Sequence, residues 1–150
     1  DMEARYNLSA GSLLAGLAFN QTGSGIGHGL GEAFQVEYNV QHGTAIAIVL
    51  PLVMKYNLTK KPSLYAEMAI AMGIDAEGLS EIELAEKAAE RVGEIIENIG
   101  LPTKLSEVGI PEEDLEKIAK TTLELSPGLF MKNLCPVSED DVLDMLKQVY

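Results

Sequence analysis

The sequence predicts an all-α fold, a compact domain of about seven helices, and three observations carry that prediction. Apolar residues recur at steps of three and four along most of the chain, the spacing of one helix face. Helix start signals, Ser80-Glu81-Ile82-Glu83 and Ser138-Glu139-Asp140-Asp141, stand directly before such patterns. No convincing alternation of period two occurs; Gln35 to Val40 comes nearest and is short. With 150 residues, 47% of them hydrophobic, one core is expected. A domain of this size buries roughly 70% of the surface its unfolded chain exposes.

In chain order, Met2 to Asn20 places Ala4, Leu8, Leu13, Leu14, Leu17 and Ala18 at helical steps among small residues, a helix that others approach closely. Gln21 to Gly25 breaks it, and Ser24 is the expected cap of a second helix carrying His28, Phe34 and Tyr38. After a turn at Asn39 to Gln41, a third helix runs from His42 to Asn57, kinked at Pro51 and buried along Ala45 to Met54. Pro62 opens a fourth, with Leu64, Tyr65, Met68 and Met72 on one side and Gly73 at its close.

Ser80 caps the most amphipathic helix, whose stripe Ala85, Ala88, Val92, Ile95, Ile96 and Ile99 ends at Gly100-Leu101-Pro102. Thr103 to Ile110 reads as a looser join between the two halves. Pro111 begins a helix with Leu115, Ile118, Ala119 and Thr122 inward, and Ser138 starts the last, with Val142, Met145, Leu146 and Val149 inward. The remaining methionines, Met54 and Met131 among them, read as core filler.

Composition excludes several classes of partner. A net charge of −12, from 23 acidic and 11 basic residues, repels phosphate backbones and anionic lipid, so neither nucleic acid nor a membrane surface is expected. The run Ala45 to Met54 is shorter than the about 20 apolar residues a bilayer span needs. The single cysteine, Cys135, fits a buried thiol in a reducing, cytoplasmic setting. The opening Asp1-Met2-Glu3 enters a helical pattern at once, as if cut from something longer.

Chemistry concentrates in Gly25 to Asn57, which holds both histidines, His28 and His42, each followed by glycine. Imidazole ligates divalent iron or zinc through a neutral ring nitrogen, and two such ligands make half a site. Thirteen residues separate them, which fits no short zinc motif; by spacing alone, a metal site and two ordinary helix-end histidines are both open. A helix, a turn and a second helix can bring the two rings to one point. The glycines Gly25, Gly27 and Gly31 superficially match a dinucleotide loop, but no strand precedes them, so they read as thinning a helix for close approach. Glu32 lies one turn after His28 on the same face.

The stretches Gly25-Ile26-Gly27-His28-Gly29-Leu30-Gly31-Glu32 and His42-Gly43-Thr44-Ala45-Ile46-Ala47-Ile48-Val49-Leu50-Pro51 resemble the C-terminal, helical domain of the iron-dependent (group III) alcohol dehydrogenase family. Glu3-Ala4-Arg5, Leu14 to Phe19, Met54 to Asn57, Gly100-Leu101-Pro102 and Pro136 to Val142 extend the likeness over essentially the whole chain. The resemblance implies an NAD(P)-linked oxidoreductase that interconverts an alcohol and an aldehyde or ketone. His28 and His42 would be metal ligands, with Fe(II) the first expectation and Zn the second. Two further ligands and the nucleotide-binding domain would come from sequence preceding this chain.

Two departures accompany the likeness. Glu32 stands where the family commonly has a second histidine, and it is the candidate proton relay. Gln35 and Val36 are larger than the residues often found there, which implies a narrower pocket. A homodimer is expected, since an apolar cleft wall exposed without the other domain would self-associate. The alternative reading is a non-catalytic helical module that keeps the fold for oligomerisation or partner binding.

Overall fold

The computed structural model describes residues 1–125 and 127–150. Eight α-helices occur among them, with no strand: α1 Met2–Thr22, α2 Ile26–Tyr38, α3 His42–Leu58, α4 Pro62–Ala71, α5 Glu81–Asn98, α6 Leu115–Leu125, α7 Pro127–Met131 and α8 Glu139–Gln148. The all-α expectation holds. The helix beyond the expected seven is α7, whose five residues are too few to display a period.

The core has two parts, and α3 belongs to both. In the larger, Ile26, Leu30 and Phe34 of α2 meet Ile48 and Val49 of α3, Ile118 of α6, and Val142 and Leu146 of α8. Burying side chains of this kind contributes about 1.5–3 kcal/mol each. In the smaller, Met54 of α3 packs with Ala66 and Ala69 of α4 and Leu84, Ala88 and Ala89 of α5. Being covered on two sides explains why the α3 sequence is apolar nearly all round. The helix runs unbroken through Pro51, and α5 comes near it at Gly93, where a Cβ would lie 3.9 Å from Pro51 Cγ.

Several boundaries match the signals read from the residues. Ser80 and Ser138 each form a complete capping box, with Glu83 and Asp141 respectively. The end of α5 is closed by Gly100 at φ +74, with Gly100 N–H donating to Glu97 O and Leu101 N–H to Ile96 O, the paired bonds of a Schellman turn.

Other expectations need correction. The cap of α2 is Gly25, not Ser24, and it makes no side-chain capping bond. On α4 the fully buried positions are Ala66 and Ala69; of the four residues expected inward, Tyr65 and Met72 pack half-buried against the same core, while Leu64 and Met68 turn outward. Met131 is 88% exposed and fills no core. The stretch 103–110 is no loose join: Leu105 and Ile110 are fully buried, a 3₁₀ turn spans Ser106–Val108, and Leu105 N–H donates to Val149 O at 2.8 Å. Helix α1, expected to be closely approached, has no buried residue; Tyr6, Leu8, Leu13, Leu14 and Leu17 are all exposed.

No helix among the described residues is long and apolar enough to cross a membrane.

Candidate metal centre

Both histidines stand at helix starts. His28 is in the first turn of α2, with its N–H donating to Gly25 O at 3.1 Å, and His42 is the first residue of α3. Between them the chain reverses at Asn39, whose left-handed conformation (φ 54) lets Asn39 N–H donate to Gln35 O and Val40 N–H to Phe34 O. Asparagine tolerates that conformation better than other residues with a Cβ.

The helices close on each other at Gly31. A Cβ there would lie 2.6 Å from Ile46 Cδ1 and 3.7 Å from Ala45 Cβ, so the helices come close enough that a methyl would have to push the end of the Ile46 side chain aside. The reading of the glycines as thinning α2 is thus supported at Gly31.

The consequence is that the two imidazoles meet. Their centroids are 5.3 Å apart with ring planes inclined by 54°. Two imidazoles sharing one ion through bonds of about 2.0–2.1 Å at a tetrahedral angle have centroids roughly 5 Å apart. The pair therefore fits a divalent ion as two nitrogen donors. Among the described residues no group of three or more His, Cys, Asp or Glu side chains is arranged to hold an ion, so Glu32 does not join the histidines as a third ligand. Two imidazole nitrogens are what the described residues could offer an ion here.

Surroundings favour the ligating form of His28. Partial burial, and next the neighbouring His42, hold its pKa below the ordinary 6.5, while Glu32 opposes them. A neutral imidazole offers a lone pair, which an imidazolium does not. The ring of Phe19, near the end of α1, lies 5.9 Å from that of His28 at a 32° tilt.

Two contacts of the histidines escaped the sequence reading, which gave Gln35 only as a larger residue that narrows a pocket. Phe19 has no signal, since its meeting with His28 depends on how α1 leaves the domain. Gln35 has one: His28, Glu32 and Gln35 follow each other at i, i+4 and i+7 and so share a face of α2. Gln35 places its Nε2 3.0 Å from Nδ1 of His42 and 3.1 Å from Gly31 O. Val36 is exposed on α2.

Residues 1–150 match the family model for the Fe-containing alcohol dehydrogenase family, C-terminal. The chain belongs to that family. It is 32% identical over 150 residues to a 1,3-propanediol dehydrogenase of Citrobacter freundii, covering all of this chain and 38% of that protein. A lactaldehyde reductase of Escherichia coli (strain K12) is 35% identical over 124 residues, 83% of this chain and 32% of its own. Among solved structures, a 1,3-propanediol oxidoreductase superposes with a TM-score of 0.95 at 32% identity, over 100% of this chain and 39% of that one. The chain thus spans less than two fifths of the length of these alcohol dehydrogenase relatives.

Proposed function

We propose that this chain is the metal-binding C-terminal part of an NAD(P)-linked alcohol dehydrogenase that interconverts a small alcohol and an aldehyde or ketone. The observation that carries the reading is the meeting of His28 and His42 at a spacing that suits one shared ion. Family membership supplies the reaction class, and the relatives named for 1,3-propanediol and lactaldehyde point to small hydroxylated substrates.

His28 and His42 would hold the metal, Fe(II) before Zn since the family is the iron-containing one. When bound, the ion supplies Lewis acidity toward the alcohol oxygen, and a nicotinamide nucleotide takes up hydride. The work of this chain's own residues is more modest. Gly31 lets α2 and α3 close so that the rings stay together. Phe19 shields one side of His28. Glu32, one turn beyond His28 and electrostatically coupled to it, holds or passes the proton that leaves the alcohol.

The remaining ligands and the nucleotide site belong, in this reading, to an N-terminal nucleotide-binding domain. That domain would cover the exposed apolar side chains of α1. Working in the cytoplasm suits the buried, unpaired thiol of Cys135.

The test is metal content and turnover. The chain, joined to its nucleotide-binding domain and loaded anaerobically with ferrous iron, is compared with His28→Ala and His42→Ala using short primary alcohols and NAD or NADP. Loss of iron and of turnover in both variants supports the reading. Folded variants that keep both refute it and leave a helical binding module.

A further inference from the structure

Gln35 is a half-buried polar side chain that the ligand assignment leaves without a role. It lies on α2 two turns beyond His28, and its Nε2 has two partners, Gly31 O at 3.1 Å and His42 Nδ1 at 3.0 Å. A carbonyl oxygen only accepts hydrogen bonds, so the end of the carboxamide that faces Gly31 is the NH₂ group. One of its hydrogens goes to Gly31 O, and the other is directed at Nδ1. That nitrogen must then accept, and a neutral His42 carries its own proton on Nε2.

We infer that Gln35 is the positioning residue of the metal centre: by engaging Nδ1 of His42 it sets the ring and leaves Nε2 as the ligating nitrogen. The inference rests on the reading of His42 as a ligand. Imidazole ligands are ordinarily held through the nitrogen that does not face the metal, by a group that fixes tautomer and orientation. A carboxamide suits both conditions of the ring. Its NH₂ satisfies a bare Nδ1 in the empty protein, and its Oε1, after rotation of the amide, accepts from Nδ1–H when Nε2 is committed to an ion. A glutamate serves only the second condition, and a methionine of similar length serves neither.

The experiment uses the parent protein with Gln35→Met, Gln35→Glu and His42→Ala. Zinc affinity is measured by competition with a chelating dye, and the His42 tautomer of the metal-free protein is read from imidazole nitrogen shifts, assigned by their loss in His42→Ala. Expected are a proton on Nε2 in the parent, its transfer to Nδ1 in Gln35→Glu, and zinc affinity lowered roughly 10–100-fold in Gln35→Met. Gln35→Glu keeps affinity within a few-fold of the parent.

If Gln35→Met binds zinc as tightly as the parent while His42→Ala does not, positioning by Gln35 is overturned and the ligand assignment stands. If His42→Ala binds as tightly as the parent, the ligand assignment fails and this inference falls with it. Should Gln35→Met not fold, the tautomer decides: no change between parent and Gln35→Glu overturns the proposal.

Discussion

Replacing Asn57 by alanine tests how the start of α2 is held in place. Asn57, only 5% exposed near the end of α3, forms a reciprocal carboxamide pair with Asn133: Asn57 Nδ2 donates to Asn133 Oδ1 at 3.0 Å, and Asn133 Nδ2 to Asn57 Oδ1 at 2.8 Å. Asn133 also donates to Cys135 O at 3.0 Å and sits against Gly25, the cap of α2, where a Cβ would be 3.1 Å from its Oδ1. The truncation removes two hydrogen bonds, each worth about 1 kcal/mol net, and leaves the half-buried Oδ1 of Asn133 without its donor.

Because Asn133 Nδ2 keeps Cys135 O, only one orphaned atom adds to the loss. The expected cost is about 2–3 kcal/mol. For a domain of this size that lowers Tm by roughly 5–10 °C. Urea unfolding followed by circular dichroism measures it, in Asn57→Ala, Asn133→Ala and the double variant. Both single changes remove the same pair of bonds, and Asn133→Ala also removes the one to Cys135 O, so the double variant should cost little more than Asn133→Ala alone. Costs that simply add would refute the pair as the source of the stability.

Gly31→Ala sets a gain of about 1 kcal/mol in helix propensity against displacement of Ile46 Cδ1, which costs about as much. It should be near neutral alone and clearly stabilising beside Ile46→Val, which removes that atom; equal effects in both backgrounds would show that the contact is not felt. Asp141 accepts from the hydroxyl and N–H of Ser138, which holds its carboxyl below the ordinary 3.8. A carboxyl lowered on folding contributes stability that is complete above about pH 4 and is lost as pH falls through its folded value. Ser138→Ala should therefore cost about 1 kcal/mol at pH 6 and less at pH 3, by urea midpoints. The apolar side chains exposed along α1 should make the chain alone a concentration-dependent dimer, which sedimentation of a dilution series checks; a monomer throughout would rule this out.

Helical spans were legible because period and capping are local properties. Ser80 with Glu83, and Ser138 with Asp141, close the same bonds in the structure that their spacing predicts. Which face is buried depends on the neighbour, and there the reading faltered. On α4 the large residues promised the core, yet only Tyr65 and Met72 reach its edge, and Ala66 and Ala69 fill the contact with α5. At 103–110 a serine and a glycine, between Pro102 and Pro111, signal a loop, and nothing local reveals that Leu105 and Ile110 are buried in the same core as Val142 and Leu146 of α8.

The site followed the same division. That His28 and His42 could come together was readable from the helix, turn and helix between them, and so was the role of Gly31 in thinning a helix. That Gln35 would reach His42 across the turn needed the angle between α2 and α3, which no single-helix pattern contains.

Helix α1 is a lever. It extends roughly 30 Å from Gly23, whose backbone at φ 74 and ψ −165 is a shape that glycine adopts with little strain, while Phe19 lies only about 6 Å from that pivot. A 10° swing would carry the far end of the helix about 5 Å but Phe19 only about 1 Å. The arm thus works as a reducing gear. A coarse displacement along its length would reach the ring beside His28 as a fine adjustment, and clamping the distal end would hold Phe19 against that histidine.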